Sequence, residues 1–560
     1  MQPGNLDTLP PAGHGTGCSF SDRTAVGAAA VAALLCLLVF IPALSGEFVN
    51  WDDPLYVINN PGIRILDRQF IVEAFTTSYM GWWMPLTWLT FAIDYRFWGL
   101  DPFGYHLTNI LLHAVNTGLV VLIADILFRR VRRRDDRRLS GAVYAGWLLL
   151  AGLAWGIHPL RVESVAWVTE RKDVLNGVFA LGAVYCYLAY VHNRETAGPG
   201  KMSGVCYATS LLLLVLSFMA KPVSVVLPGL LLVMDWYPLN RLAAGRLPGV
   251  LLEKVPFAAA VAAVSFVTLH FASGNSILVS YQDLPLASRF ILAGNSLYEY
   301  VAMTLYPVGI VNLYLLPWPL PAVFFFKAAV MGGVTCFCVM QYRRRPWLIA
   351  SWLAFVLPLL PVLGFFQNGA QSHAARFTYL PGVVAGIVTA ALVMRLHDRF
   401  AGVEPVRASV LTVVPAVLVL LCYGGITERH IAAWRTPETL WSRLVAIRPV
   451  GRAYYLRADY YLQTGRYDEA AADLQRSIEL GRKAGYTKMY NLHALRGDAL
   501  LKGGNAQEAV VELTRALELR PQANYYYHRG VALQKLGRNE EAASDLSRAG
   551  QAHSPIEWVE

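Results

Sequence analysis

Arg129-Arg130-Val131-Arg132-Arg133-Arg134-Asp135-Asp136-Arg137-Arg138 places seven arginines in ten residues, directly after an apolar run over 105–128. About 20 apolar residues suffice to cross a bilayer, and arginines flanking a span are retained in the cytoplasm. The stretch therefore reads as a cytoplasmic loop and sets the direction of every neighbouring span. Backwards from it, residues 46–104 face the outer compartment. The run over 25–44 reads as a retained anchor rather than a signal peptide, because small residues are scattered through it, and 1–24 form a cytoplasmic tail. Forwards, spans are expected near 142–157, 174–191, 204–219, 223–237, 252–272, 320–341, 347–366, 377–395 and 408–425. Arg194 and Lys201, Arg241 and Arg246, Arg343 to Arg345, and Arg395, Arg399 and Arg407 then fall on the cytoplasmic side. The apolar stretch 287–305 breaks this alternation if counted as a span, and is read as a re-entrant or interfacial helix. The expected fold class is all-α, with a membrane domain of about eleven spans over 25–425. An odd count sends the C-terminal part of the chain to the outer side, and an even count is the alternative.

Composition points the same way: 55% of the 560 residues are hydrophobic and 15% charged, against roughly 25% charged in soluble proteins. Of the 86 charges, 35 lie from residue 426 onward, so the C-terminal part is the soluble one. The net charge of +10 sits mostly in Arg clusters between apolar runs, which topology explains, and no nucleic-acid partner is expected. Seven cysteines, an odd number and mostly inside apolar runs, indicate neither a disulfide framework nor a zinc site.

Beyond 425 the chain repeats itself at about 34 residues. Tyr454, Ala458, Tyr461, Gly465, Tyr467, Ala470 and Leu474 mark one unit; Gly497, Gly504, Ala509, Leu513 and Ala516 a second; Tyr526, Gly530, Leu533, Gly537, Ala542 and Leu546 a third. A small residue at the eighth place lets two antiparallel helices approach, and the Gly seven places later supplies positive φ where the first helix ends. The pattern resembles the tetratricopeptide repeat, with about three units over 451–560. Residues 426–450, with Trp441, read as a connecting helix or half repeat. Such an array presents a surface to protein partners, with Arg452, Arg457, Tyr454, Tyr455, Tyr460, Tyr525 and Tyr526 as contact candidates.

Polar residues expected on the outer face need a separate reason. Asp52 and Asp53 follow the first span, flanked by Trp51 and Tyr56, which are expected at headgroup depth. That placement suits a general base acting between a lipid-borne donor and a water-soluble acceptor. The next outer loop, 158–173, carries His158, Arg161, Glu163, Glu170, Arg171, Lys172 and Asp173. Basic residues on the outer side run against the topological trend, and guanidinium matches phosphate oxygens in bidentate fashion. Lys221, Arg376 and Tyr379 face the same compartment. His106, Asn109, His113 and Asn116 form a stripe on the second span, read first as helix-to-helix hydrogen bonding.

The stretches 48–56, 158–173 and 376–381 followed by the repeats resemble, in that order, the transmembrane and tetratricopeptide-repeat O-mannosyltransferases. That family shares the GT-C architecture of protein O-mannosyltransferases. The resemblance implies a polyprenyl-phosphate-linked sugar donor, a Ser or Thr hydroxyl as acceptor, inversion at the sugar carbon, and an acidic base in the first outer loop, Asp52 or Asp53. His158, Glu163, Arg171, Asp173, Lys221, Arg376 and Tyr379 are the expected substrate-binding residues. Arg171 and Arg376 are the first candidates for the lipid phosphate, with Lys221 third. Two adjacent acids can hold a divalent ion, but the resemblance implies catalysis without one, so no metal site and no cofactor are expected. About three repeats and the absence of an Asn-x-Ser/Thr sequon favour a bacterial member in the inner membrane with periplasmic repeats; a eukaryotic one would have them in the endoplasmic reticulum lumen. The expected partners are the lipid-linked sugar, membrane lipid and an acceptor protein reached through the repeats. The rival reading is a non-catalytic scaffold or export component.

Overall fold

The computed structural model describes residues 23–560 apart from 80, 133–140, 244, 273–283, 366–368, 402–403, 484–485, 551–555 and 557–560. The tail up to residue 22 and most of the arginine-rich loop thus lie outside the described residues. Each of the eleven expected spans is helical over most of its described residues. Among the described residues seven helices are long and apolar enough to cross a membrane: Arg23–Ser45, Pro102–Val131, Val168–Ala197, Lys201–Ala220, Leu247–Phe271, Ala322–Met340 and Val406–Ala433. An eighth is the pair Gly141–Gly156 and Pro159–Ala166, bent by 49°. Pro222–Trp236 and Pro346–Val362 are apolar but short, and Gly382–Ala401 ends in Arg395, His397, Asp398 and Arg399. The expected eleven therefore divide into seven or eight full-length apolar helices and shorter or more polar ones. The chain is an all-α, multi-pass membrane protein carrying helical repeats.

At the centre, Pro102–Arg132 packs against Arg23–Phe40, Gly141–Gly156 and Arg171–Ala197. Its polar stripe is wholly inside: His106, Asn109, His113 and Asn116 are each at most 1% exposed. Asn109 donates to the carbonyls of Val165 (3.2 Å) and Trp167 (3.1 Å), and Asn116 to that of Val174 at 2.8 Å. Burying amides between helices requires such partners, and here they fasten the 158–173 segment onto the second span. That segment folds as three short helices, Pro159–Arg161, Val162–Ala166 and Val168–Glu170. It is packed inside the protein rather than solvated.

The stretch 287–305 forms the helix Leu286–Leu305, which lies on Ala322–Met340. A short antiparallel pair, Tyr314–Leu315 with Gln371–His373, ties the segment after that helix to the loop that carries Arg376.

The repeats form three helix pairs: Gly451–Gln463 with Tyr467–Lys483, Met489–Lys502 with Ala506–Leu519, and Ala523–Lys535 with Asn539–Ala549. Gly465, Gly504 and Gly537 adopt φ of +77°, +90° and +74°, the left-handed turn that glycine alone enters without strain. A Cβ on Gly497 would sit 2.6 Å from Leu513 Cγ, which is why the eighth place is small. The expected half repeat is the helix Pro437–Ile447, with Trp441 fully buried against the first unit. Among the contact candidates, Tyr455 and Tyr525 are buried in the packing and Arg457 is paired with Asp473 at 2.7 Å.

Candidate active site at the junction of three segments

The first outer segment is held from both sides before it reaches its acids. The amide of Asn50 donates to the carbonyl of Leu456 (2.7 Å) and to Asp459 (2.9 Å) in the first repeat, and its oxygen accepts from the Trp441 indole at 2.8 Å. Trp51 stacks on Trp167 with ring centres 4.5 Å apart, and Trp167 stacks in turn on Trp434 at 5.6 Å. Tyr56 is buried against Trp88. Trp51 and Tyr56 are thus engaged in contacts within the protein. Residues 46–59 and the first repeat touch directly, so they share one face of the molecule.

The two neighbouring acids part company here. Asp53, 1% exposed, accepts from the Val49 amide (2.8 Å), the Thr169 amide (3.1 Å) and the Thr169 hydroxyl. Burial pushes its carboxyl up to about 7 against the pull of those hydrogen bonds. Oδ2 folds the first segment on itself through Val49 and Oδ1 joins it to the second through Thr169, which makes Asp53 a positioning residue. Asp52, half-buried, has no side-chain hydrogen bond or ion pair among the described residues. Burial raises its carboxyl as well, opposed by the charges of Lys172 and Arg376. Its carboxylate is the one left to act on something else.

Around it stands a cluster of cations on carboxylates. Glu170, 1% exposed, meets Lys172 at 3.2 Å, Lys221 at 3.3 Å and Arg376 at 3.4 Å. Glu163 accepts from the Arg376 backbone amide at 3.1 Å and from its guanidinium. Asp173 accepts from Lys221 at 2.5 Å and from Ser164 at 3.1 Å. Three cations sharing three buried acids are held in place without side-chain freedom to lose later, the preorganisation that a transition-state anion needs. Lys221, Asp173 and Arg376 line a small cavity of about 20 Å³ with Tyr379, Pro358 and Leu380. Pro358 and Leu380 also line an apolar groove of about 190 Å³ that runs down the opposite way to Arg395, between Pro102–Arg132, Arg171–Ala197 and Gly382–Ala401.

Not every expected residue joins this cluster. Arg171 is turned away and fully buried, paired with Asp94 at 2.6 Å and bonded to the Tyr105 carbonyl at 2.9 Å and to Asn109. The guanidinium expected to meet a phosphate is thus engaged inside the protein, whereas the neighbouring Lys172 joins the cluster, 5.0 Å from the Tyr56 ring centre. Residues in sequence on a helix point about 100° apart, so only one of the two can face the site. The Tyr379 hydroxyl is engaged by His113 (2.7 Å) and Asn116 (2.9 Å), leaving only its ring beside the cavity. Both ring nitrogens of His158 are used, one by the Thr304 carbonyl at 3.1 Å and one by the Leu160 amide at 3.2 Å, so it braces the backbone. Glu170 and Lys172 were visible as charges in the 158–173 segment, but nothing in spacing marked them as central.

Residues 451–482 and 523–549 match the tetratricopeptide repeat family. Along most of its length the chain is similar to Protein O-mannosyl-transferase TMTC1 of Homo sapiens, 24% identical over 504 residues, covering 81% of this chain and 55% of the relative. A second relative, a protein O-mannosyl-transferase of Caenorhabditis elegans, is 23% identical over 437 residues, 74% of this chain and 57% of the relative. Protein O-mannosyl-transferase tmtc2 of Xenopus laevis is 32% identical over a shorter 172 residues, 29% of this chain and 19% of the relative. The chain is a homologue of these protein O-mannosyl-transferases. The match covers between 19% and 57% of the length of these curated relatives.

For this homologue the different bonding of the two acids makes Asp53→Asn a test of architecture. The amide offers one acceptor where the carboxylate serves three donors, and turns an N–H toward one of them. Leaving a buried donor unsatisfied costs about 1–3 kcal/mol, so thermal unfolding of purified protein should shift downward. An unchanged midpoint would show that Asp53 does not tie the two segments.

Proposed function

We propose that this protein is a membrane glycosyltransferase that moves a sugar, mannose or another hexose, from a polyprenyl-phosphate donor to a Ser or Thr hydroxyl of a protein. The reading rests on one observation above others: Asp52, whose carboxylate has no hydrogen bond or ion pair among the described residues, lies in the field of Lys172 and Arg376, and Arg376 with Lys221 lines a cavity that shares Pro358 and Leu380 with an apolar groove. In that arrangement Asp52 removes the acceptor hydroxyl's proton as the oxygen attacks the anomeric carbon. The bond from that carbon to the lipid phosphate breaks, and the charge gathering on the phosphate meets Arg376, Lys221 and Lys172. The polyprenyl chain lies along the groove, in contact with apolar side chains only. A single displacement inverts the sugar carbon. The relatives named as O-mannosyl-transferases support mannose as the first sugar to try.

The direct test is transfer from a purified polyprenyl-phosphate sugar to a Ser/Thr peptide by reconstituted protein, with chemistry followed at saturating donor. Arg376→Ala should lower turnover about a hundred- to a thousand-fold, the usual cost of removing one preorganised charge donor. Arg376→Lys should retain part of it, since charge stays while the fork is lost. Full turnover by the alanine variant would remove Arg376 from the phosphate.

We further infer that the repeats lie on the outer side, in the periplasm of a bacterial cell or the lumen of an endoplasmic reticulum. The contact of Asn50 with Leu456 and Asp459 supports this, because it ties the repeats to the segment following the first span. A reporter active only in the cytoplasm, fused after Glu560, should be silent. Reporter activity would place both the repeats and the cluster on the inner side.

A further inference from the structure

The helix Gly382–Ala401 separates two grooves. Val384, Ile387 and Ala391 face the one that adjoins Lys221 and Arg376, whereas Ala385, Thr389 and Val393 face a second, of about 300 Å³, on the other side. This second groove is closed by Gly141–Gly156 and Pro405–Ala433, and Arg161 stands in its wall.

Arg161 is 1% exposed, and no carboxylate lies within ion-pair distance among the described residues. Its guanidinium donates to the Thr378 carbonyl at 2.7 Å and to the Thr378 hydroxyl at 2.6 Å, while Nε has no partner. Trp155 and Tyr379 rings lie 5.7 Å and 5.6 Å away. A Cβ at residue 382 would be 3.0 Å from Nη2, so glycine is what lets the cation lie against the first turn of Gly382–Ala401. A helix N-terminus carries positive partial charge. A buried guanidinium set beside one, with the charge of Asp173 acting only from beyond ion-pair contact, is costly unless an anion sits there.

We propose that this second groove binds an anionic glycerophospholipid, its phosphate on Arg161 and the start of Gly382–Ala401, one acyl chain along the groove. Length favours this occupant. Leu411 and Tyr423 both line the groove, and twelve residues of helix rise about 18 Å, close to half of a hydrocarbon core of roughly 30 Å. That is the reach of a chain within one leaflet. The site is separate from the sugar-transfer cluster, and its demonstration does not require transfer.

The test uses the full chain reconstituted in phosphatidylcholine bilayers with an equal amount of phosphatidylglycerol, then released and examined by native mass spectrometry. Wild type should keep one phosphatidylglycerol in preference to phosphatidylcholine. Arg161→Met should reduce that preference about tenfold. Thr389→Trp, which fills the groove from an exposed position and leaves Arg161 in place, should lower retention of either lipid, so the proposal stays testable where Arg161→Met does not fold. Equal retention of both lipids by wild type, or wild-type retention by Thr389→Trp, would overturn the site. Displacement of the phosphatidylglycerol by an equimolar polyprenyl monophosphate would also overturn it, by giving the groove to the donor's lipid.

Discussion

Asp52→Asn should lower sugar transfer by about a hundred- to ten-thousand-fold, the span over which a positioned general base acts, and leave the unfolding midpoint where it is. The two parts belong together. Among the described residues the Asp52 side chain accepts no hydrogen bond that an amide would lose, so the substitution removes proton acceptance and the charge that Lys172 and Arg376 act on. Donor binding, read by retention of the polyprenyl-phosphate sugar, should persist. The pH profile carries the same signature. A base works ionised, and burial raises the Asp52 carboxyl above its ordinary range. Transfer should be present at higher pH and fall away as pH drops through a value above about 4, where an exposed Asp titrates. A loss of only a few-fold in Asp52→Asn would remove this carboxylate from the chemistry.

Arg171→Ala should act in the opposite sense, on stability. It would leave Asp94, 4% exposed, charged and unpaired, and take donors from Asn109 and the Tyr105 carbonyl. Breaking one side of a buried pair costs about 3–5 kcal/mol, enough to lower yield and melting temperature sharply. Arg171→Lys should recover little, because a single ammonium cannot reach three acceptors arranged for a fork. Wild-type melting in Arg171→Ala combined with lost transfer would return Arg171 to the phosphate.

The contrast between Arg171 and Lys172 shows where reading the chain alone stops. Long apolar runs and glycine-punctuated repeats are local patterns, and the helices follow them. The polar stripe from His106 to Asn116 was legible too, because amides inside a membrane must bond to protein. Which of two adjacent cations faces a cavity depends on the rotation of a helix about its axis, and that is settled by Asp94, 77 residues away. The choice between Asp52 and Asp53 rests likewise on Thr169, which claims one of them. Glu170 was legible only as one charge among several. Its importance comes from the arrival of Lys221 and Arg376 from distant loops. Arg161 was legible as a charge, but the absence of a carboxylate in ion-pair contact with it among the described residues belongs to three dimensions alone.

The bonds from Asn50 to Leu456, Asp459 and Trp441 bear on how this protein can be recombined with its relatives. A chimera cut at residue 425, where hydropathy ends, would separate Asn50 from all three of its partners and replace them with a foreign helix two residues from Asp52. A cut after the helix Tyr467–Lys483 would carry Pro437–Ile447 and the whole first pair along with the membrane part. The inheritable unit is then a membrane domain with a built-in first repeat, and the interchangeable cassette begins only at the second.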